Sequence, residues 1–155
     1  MSFKRLFSLS VALLSLSACG GIRYQLEAPA GFSAYQQAGD QLRLVSPEGV
    51  KLLVRSRPNE PKAPLSFWGD AISEHLQRNG YLERARVPLE AREARAAGQL
   101  ISLTRAHSGE DWGYLIAVFV DDERLILVEM SGPLSRTEAA RESLIDVLNR
   151  FTWRE

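Results

Sequence analysis

Alternating and continuous apolar runs predict β-strands in the first half of the chain. Residues 41–45 and 50–55 are two such runs, and the four residues between them, Ser46, Pro47, Glu48 and Gly49, have turn chemistry. Proline at the second turn position and glycine at the fourth are typical of a β-turn, so the pattern predicts a hairpin. Three prolines between residues 58 and 64 then predict a crossing without regular structure.

Apolar residues spaced by three or four predict two helices. The first covers residues 65–79, with Ser66 as the capping residue, Gly80 as the terminator and an apolar stripe of Leu65, Trp68, Ile72 and Leu76. The second covers residues 135–151, where Ser135 and Glu138 have capping-box spacing. Its apolar face consists of Ala140, Leu144, Val147, Leu148 and Phe151, which we expect to pack on a sheet.

The stretch between the two helices predicts strands. Residues 83–91 alternate and residues 99–106 form a further run, although a helix over 89–97 is the competing prediction because Ala, Glu and Arg favour helices. Residues 107–112 are predicted as a polar loop. Residues 114–120 and 125–130 are continuous apolar runs, which predict a central hairpin covered on both faces. The fold class is therefore α+β, an antiparallel sheet flanked by two main helices.

The N-terminus has the organisation of an export signal. Lys4 and Arg5 precede an apolar run over residues 6–16, which is too short to span a bilayer. Leu16, Ser17, Ala18 and Cys19 follow, and this sequence resembles the bacterial lipobox. The resemblance implies that residues 1–18 are a signal peptide cleaved after Ala18, and that Cys19 and the new amine are acylated.

This resemblance also predicts where the protein works. An anchor with two or more acyl chains attaches a protein stably to a membrane. Gly20, rather than aspartate, follows the cysteine, which favours the outer membrane with the domain facing the periplasm. We expect a lipid-anchored tether over residues 19–39, with at most one short strand over 24–26, and a globular domain over residues 40–155.

Composition narrows the possible partners. Loss of Lys4 and Arg5 with the signal leaves 17 basic and 19 acidic side chains, and these alternate along the chain. No basic stripe suited to nucleic acid is present in the sequence. Cys19 is the only cysteine, so the fold must be stable without a disulfide.

Catalytic and metal-binding motifs are not found in the sequence. His75 and His107 are far apart and do not supply the three or four ligands of a zinc site, and no serine lies in a G-x-S-x-G motif. We therefore expect no catalytic residue, no metal and no cofactor other than the lipid on Cys19. Glu129, in an apolar strand, is either a carboxylate with a perturbed pKa or, as the ordinary structural alternative, a residue that faces the sheet edge or pairs with arginine.

The succession of elements resembles the PsbP-like superfamily, which includes the Ran-binding Mog proteins and the DcrB-type bacterial lipoproteins. The resemblance depends on the hairpin over 46–55, the helix over 67–80, the apolar hairpin over 114–130 and the Ser131, Gly132, Pro133 break. It implies binding of other proteins rather than catalysis.

The segment from Ser108 to Tyr114 is the candidate binding site. Trp112 and Tyr114 could supply aromatic contacts to a partner, beside the acidic Glu110 and Asp111. The alternative is that Trp112 folds back onto the core. The sequence thus favours a protein-binding accessory or assembly factor of an envelope complex; a carrier of a small apolar ligand and an unrecognised hydrolase are the alternatives.

Overall fold

A computed structural model of the protein describes residues 23–38, 41–91 and 96–154. Within these ranges the elements, in chain order, are β1 (Arg23–Gln25), β2 (Ser33–Ala38), β3 (Gln41–Val45), β4 (Lys51–Pro58), α1 (Leu65–Arg78), β5 (Leu82–Ala91), β6 (Ala96–His107), β7 (Glu110–Val120), β8 (Arg124–Pro133), α2 (Leu134–Leu148) and β9 (Thr152–Arg154). The signal peptide and Cys19 lie outside the described residues.

Seven of these strands form one antiparallel sheet with the order β2-β3-β4-β8-β7-β6-β5. Strands β1 and β9 pair separately as a two-stranded ribbon. The predicted class, an antiparallel sheet with two main helices, is confirmed. Both predicted hairpins are confirmed as well, because β3 pairs with β4 and β7 pairs with β8.

Two apolar clusters pack on opposite faces of the sheet, as alternation along a strand requires. On the α2 face, Leu144 and Leu148 of the helix pack against a set that includes Leu52, Val54, Leu100, Ala117, Phe119, Ile126 and Met130. On the α1 face, Trp68, Ile72 and Leu76 pack against Ile101, Leu103, Ile116, Val118, Leu125 and Leu127. Strands β7 and β8 are therefore covered on both faces over most of their length.

Asn59 fixes the proline-rich crossing that leads into α1. Its buried side chain accepts hydrogen bonds from Trp68 Nε1 at 2.7 Å and from the Ala63 backbone N–H at 3.1 Å. Its amide donates to the Asp121 carbonyl at 2.9 Å. One residue thus ties the crossing and the start of α1 to the turn between β7 and β8.

Residues before Asp40 take a larger part in the fold than predicted. The expectation of at most one short strand in this stretch is wrong, because Ser33–Ala38 forms β2 and pairs along β3. The residues Ser-Ala-Tyr-Gln-Gln-Ala show no apolar alternation, since β2 is an edge strand whose side chains from Ser33 to Gln36 are exposed. Phe32, just before it, is buried in the α2-side cluster.

The predicted loop over residues 107–112 is also wrong. Strand β6 runs to His107 and β7 begins at Glu110, so only Ser108 and Gly109 connect them. Both have positive φ, 51° and 85°, which is the backbone of a tight hairpin turn. The competing helix over 89–97 is not formed in the described residues, because β5 extends to Ala91 and β6 begins at Ala96.

The predicted N-terminal caps Ser66 and Ser135 are wrong, although the helices themselves are confirmed and Gly80, with a φ of 85°, follows the C-cap Asn79 of α1 as the predicted terminator. Pro64 and Pro133 occupy the N-cap positions, and neither helix has a side-chain cap hydrogen bond. Helices α1 and α2 therefore begin at Leu65 and Leu134, two residues earlier than a cap at Ser66 or Ser135 would allow. Strand β9 was not expected, because a three-residue strand carries too little periodicity to be recognised.

Candidate functional site

Part of the α1 face of the sheet is left uncovered by both helices. Helix α1 packs on β5, β6 and β7, and α2 lies on the opposite face. Directly paired residues of antiparallel strands point to the same side, so the register places one set of side chains together beyond α1. We call this set the open face; it consists of Tyr35, Arg43, Lys51, Leu53, Arg55, Tyr114, Glu129 and Ser131.

These side chains surround a hollow of about 400 Å³. This volume is within the range of ligand sites in proteins. The charged residues that line it are Arg43, Lys51, Arg55 and Glu129. The hollow therefore has three cationic groups and one carboxylate, which gives it a positive balance.

Glu129 is the buried centre of the polar network. It is 8% exposed and accepts two hydrogen bonds from Arg55, from Nε at 2.6 Å and from Nη2 at 3.0 Å. The Tyr114 hydroxyl donates a further hydrogen bond to Oε1 of the same carboxylate. The sequence left open whether Glu129 has a perturbed pKa or an arginine partner, and the structure shows the partner.

The network affects the ionisation of both its donors. Burial raises the pKa of Tyr114 well above the ordinary tyrosine value, and the neighbouring Glu129 charge and its hydrogen bond raise it further. Burial alone would lower the pKa of Arg55, but the hydrogen bond and charge of Glu129 outweigh it and the pKa is raised. At neutral pH the site therefore has a protonated phenol and a charged guanidinium.

Two cations of the open face are not neutralised in this way. Lys51 is exposed and forms no ion pair with any residue that the structure describes. Arg43 donates from Nη2 to Gln41 Oε1 at 3.2 Å, which is a hydrogen bond to a neutral amide. Since the charge of Glu129 balances that of Arg55, the net positive charge of the hollow comes from Arg43 and Lys51.

Aromatic side chains lie on both sides of the hollow. Tyr114 contacts Tyr81 with ring centroids 5.5 Å apart, and the guanidinium of Arg105 lies 5.6 Å from the Tyr81 ring centre. On the opposite side, Tyr35 of β2 is 57% exposed and is one of the few large apolar side chains at the surface. The open face thus has a packed aromatic border towards α1 and a solvent-exposed one at the sheet edge.

The structure separates the four residues predicted to bind a partner. All four lie in β7, and Tyr114 is the only one of them that lines the hollow. Trp112 is half-buried and pairs with Arg105 on one side and Pro133 on the other. Glu110 and Asp111 are exposed and line a different hollow at the start of α2.

The cationic residues of the site were missed by sequence analysis. Arg43, Lys51 and Arg55 alternate with the buried Leu42, Leu44, Leu52 and Val54, which is also the pattern of any strand with one solvated face. Glu129 was the available signal, because a carboxylate within an apolar run needs a partner when buried.

The described ranges have neither a possible metal cluster nor a membrane-spanning helix. No three or more His, Cys, Asp and Glu side chains come together there as a possible metal site. Neither α1 nor α2 has the length and apolar character needed to cross a bilayer. Ala18 and Cys19 lie outside the described residues, so cleavage of the signal peptide and lipidation of Cys19 stay predictions.

Comparison with known proteins identifies the fold. Neither a protein-family model nor a curated protein matches the sequence. Among solved structures, the chain is similar to LpqN of Mycobacterium tuberculosis, a protein involved in cell envelope biogenesis, with 10% identity and a TM-score of 0.65 over 90% of this chain and 88% of that one.

Two further structures share this architecture. PA94 of Pseudomonas aeruginosa, a protein of unknown function, is 9% identical with a TM-score of 0.58 over 86% of this chain and 84% of that one. Cyanobacterial PsbP from Synechocystis is 10% identical with a TM-score of 0.52, over 90% of this chain and 98% of that one. The chain therefore has a PsbP-like fold, as the succession of elements predicted.

Proposed function

We propose that this chain is a lipid-anchored envelope protein that binds another protein through the open face, as an accessory or assembly factor. The anchor is the predicted acylated Cys19, and Gly20 favours the outer membrane with the domain in the periplasm. Similarity in fold to LpqN, which is involved in cell envelope biogenesis, supports an envelope location.

The binding role rests on one observation: the positioned Arg55 lies beside Arg43 and Lys51, and no carboxylate in the described ranges pairs with either of these two cations. A buried carboxylate fixes the guanidinium through two hydrogen bonds, and the Tyr114 hydroxyl fixes that carboxylate in turn. Groups held in this way lose little conformational freedom on binding, which favours recognition. Lys51 and Arg43 lie beside them in the same hollow.

The geometry favours a protein partner over a small apolar ligand. A carrier would need an apolar cavity of several hundred cubic ångströms between helix and sheet. Phe119, Leu144, Leu148 and Phe151 are fully buried in the α2-side cluster, and the hollow between α2 and strands β5–β7 has a volume of about 260 Å³ and is bordered by Arg84, Glu138 and Arg141. The hollow of the open face also has charged side chains around it. For hydrolysis, Ser131 would need a base, and the carboxylate in this hollow is engaged by Arg55 and Tyr114.

Site-specific photo-crosslinking in intact cells tests the proposal. A photo-reactive phenylalanine analogue is placed at Tyr35, an exposed aromatic residue that lines the hollow and carries no charge, and at the exposed Lys62 in the crossing as the control. We expect one discrete protein adduct from Tyr35, none from Lys62, and loss of the Tyr35 adduct in a Cys19→Ala background. No adduct from Tyr35, or the same products from both positions, would contradict the binding role.

A further inference from the structure

We propose that the open face recognises an extended acidic segment of the partner, whose carboxylates contact Lys51, Arg43 and Arg55. This inference rests on the proposed protein-binding function and specifies the chemistry of the partner. Opposite charges across an interface guide association and set specificity.

The charge of the hollow differs from that of the protein. After removal of the signal, acidic side chains outnumber basic ones by 19 to 17 in the whole chain. Around the hollow the balance is reversed, since Arg43, Lys51 and Arg55 face one carboxylate that is already paired. An acidic segment is therefore complementary to this part of the surface, whereas a basic segment would be repelled.

The spacing of the cations fits an extended chain better than a single anionic group. Lys51 and Arg55 lie on the same face of β4 and are four residues apart, which is about 13 Å along a strand. Arg43 on β3 pairs with Leu53, midway between them. Acidic side chains at alternate positions of an extended segment are about 7 Å apart and could reach all three cations.

The orientation of the open face favours a protein segment over the bilayer. Strand β1, where the described chain begins, pairs with β9, and Trp153 of β9 packs into the α2-side cluster next to Phe119. Cys19 is four residues before Arg23, a reach of about 14 Å at most. A lipid anchor at Cys19 would therefore join the domain at β1, beside the α2-side cluster, whereas the open face is on the other side of the sheet.

A binding measurement on the full chain in nonionic detergent micelles tests this inference. The probe is a fluorescent peptide of alternating glutamate and serine, and an alternating lysine and serine peptide is the control. We expect saturable binding of the glutamate peptide that weakens with salt, about tenfold weaker binding for Lys51→Glu and for Arg43→Glu, and little change for Lys62→Glu. Circular dichroism checks that each variant is folded.

Several results would overturn the acidic-segment inference. They are no binding of the glutamate peptide, an equal loss for Lys62→Glu, or displacement of the peptide by inorganic phosphate or by phosphatidylglycerol micelles at matched charge. If the Tyr35 crosslink still forms in cells under any of these results, the protein-binding function stands and the acidic chemistry is wrong. If that crosslink is absent as well, both proposals fail.

Discussion

Arg55 of β4 and Glu129 of β8 form a two-point ion pair across adjacent strands, with N–O distances of 2.6 and 3.0 Å. The arginine side chain is 30% exposed and that of the glutamate 9%, so the pair lies at the boundary between sheet surface and interior. Each ion limits the cost of burying the other. This pair is therefore expected to affect stability as well as binding.

Removal of one partner of the Arg55–Glu129 pair should lower the free energy of unfolding more than removal of both partners. Arg55→Met leaves the Glu129 carboxylate buried without its cation, and we expect a loss of about 1–3 kcal/mol in the free energy of unfolding. The double variant Arg55→Met with Glu129→Leu should recover much of this loss. Urea unfolding of the two single variants and the double variant measures the coupling. Additive losses would show that the two charges do not interact appreciably.

The ionisation of Tyr114 can be measured in the folded protein. Because burial and Glu129 raise its pKa, Tyr114 should remain protonated near pH 10. Tyr114→Phe should then leave the rise in phenolate absorbance of the folded protein near pH 10 unchanged. In urea, the same substitution should reduce the rise in phenolate absorbance by the contribution of one of the four tyrosines. A loss of that size in the folded protein would contradict the buried phenol.

Asn59 should contribute far more to the free energy of unfolding than an exposed asparagine does. Asn59→Ala removes three hydrogen bonds at a buried position and leaves the Trp68 indole N–H without its acceptor. We expect a loss of about 2–4 kcal/mol in the free energy of unfolding. Asn79→Ala is the control, since Asn79 is exposed and donates one side-chain hydrogen bond to the His75 carbonyl. Similar losses for the two variants would contradict the role of Asn59 in fixing the crossing.

Glu83 should make stability depend on acidic pH. Hydrogen bonds from Arg86, aided by one from Ser73, hold the pKa of this carboxyl below its usual 4.5. A lowered folded pKa contributes stability above the unfolded value, and this contribution is lost as the pH falls through the lowered one. Wild type should therefore exceed Glu83→Gln in stability near pH 6, and the difference should shrink as the pH falls below the usual value of about 4.5 and vanish below the lowered pKa.

A matched comparison separates this effect from general acid denaturation. Glu74 pairs with Arg78 on α1, and both side chains are about two-thirds exposed. Solvent screens such pairs, so Glu74→Gln should change stability little at either pH. Thermal unfolding of the three proteins across this pH range gives the result. A pH-independent difference for Glu83→Gln would contradict the lowered pKa.

The elements with strong apolar periodicity could be predicted from the sequence. Strands β3, β4, β7 and β8 and both helices were recognised because their buried side chains recur at regular spacing. Strand β2 was not recognised, since an exposed edge strand has no buried face to reveal it. The connection at Ser108 and Gly109 was predicted as a longer loop over residues 107–112. Two residues suffice to reverse the chain here because both have positive φ.

The open face could be predicted only in part. Tyr114 was predicted as an aromatic contact within the segment from Ser108 to Tyr114, and Glu129 was noticed because it places a carboxylate in an apolar run. Lys51 and Arg55 look like ordinary solvated positions of an amphipathic strand, and their meeting with Glu129 depends on the pairing of β4 with β8. Which part of the face α1 leaves uncovered is a property of helix placement, and the local sequence does not encode it.

The account depends most on the acyl chains at Cys19, because they determine where the open face can meet a partner. Mass spectrometry of the protein purified from native membranes measures them directly. We predict a chain that begins at Cys19 and has the added mass of a diacylglyceryl group together with an amide-linked acyl chain. A soluble protein with an unprocessed leader or an unmodified thiol at Cys19 would contradict the account.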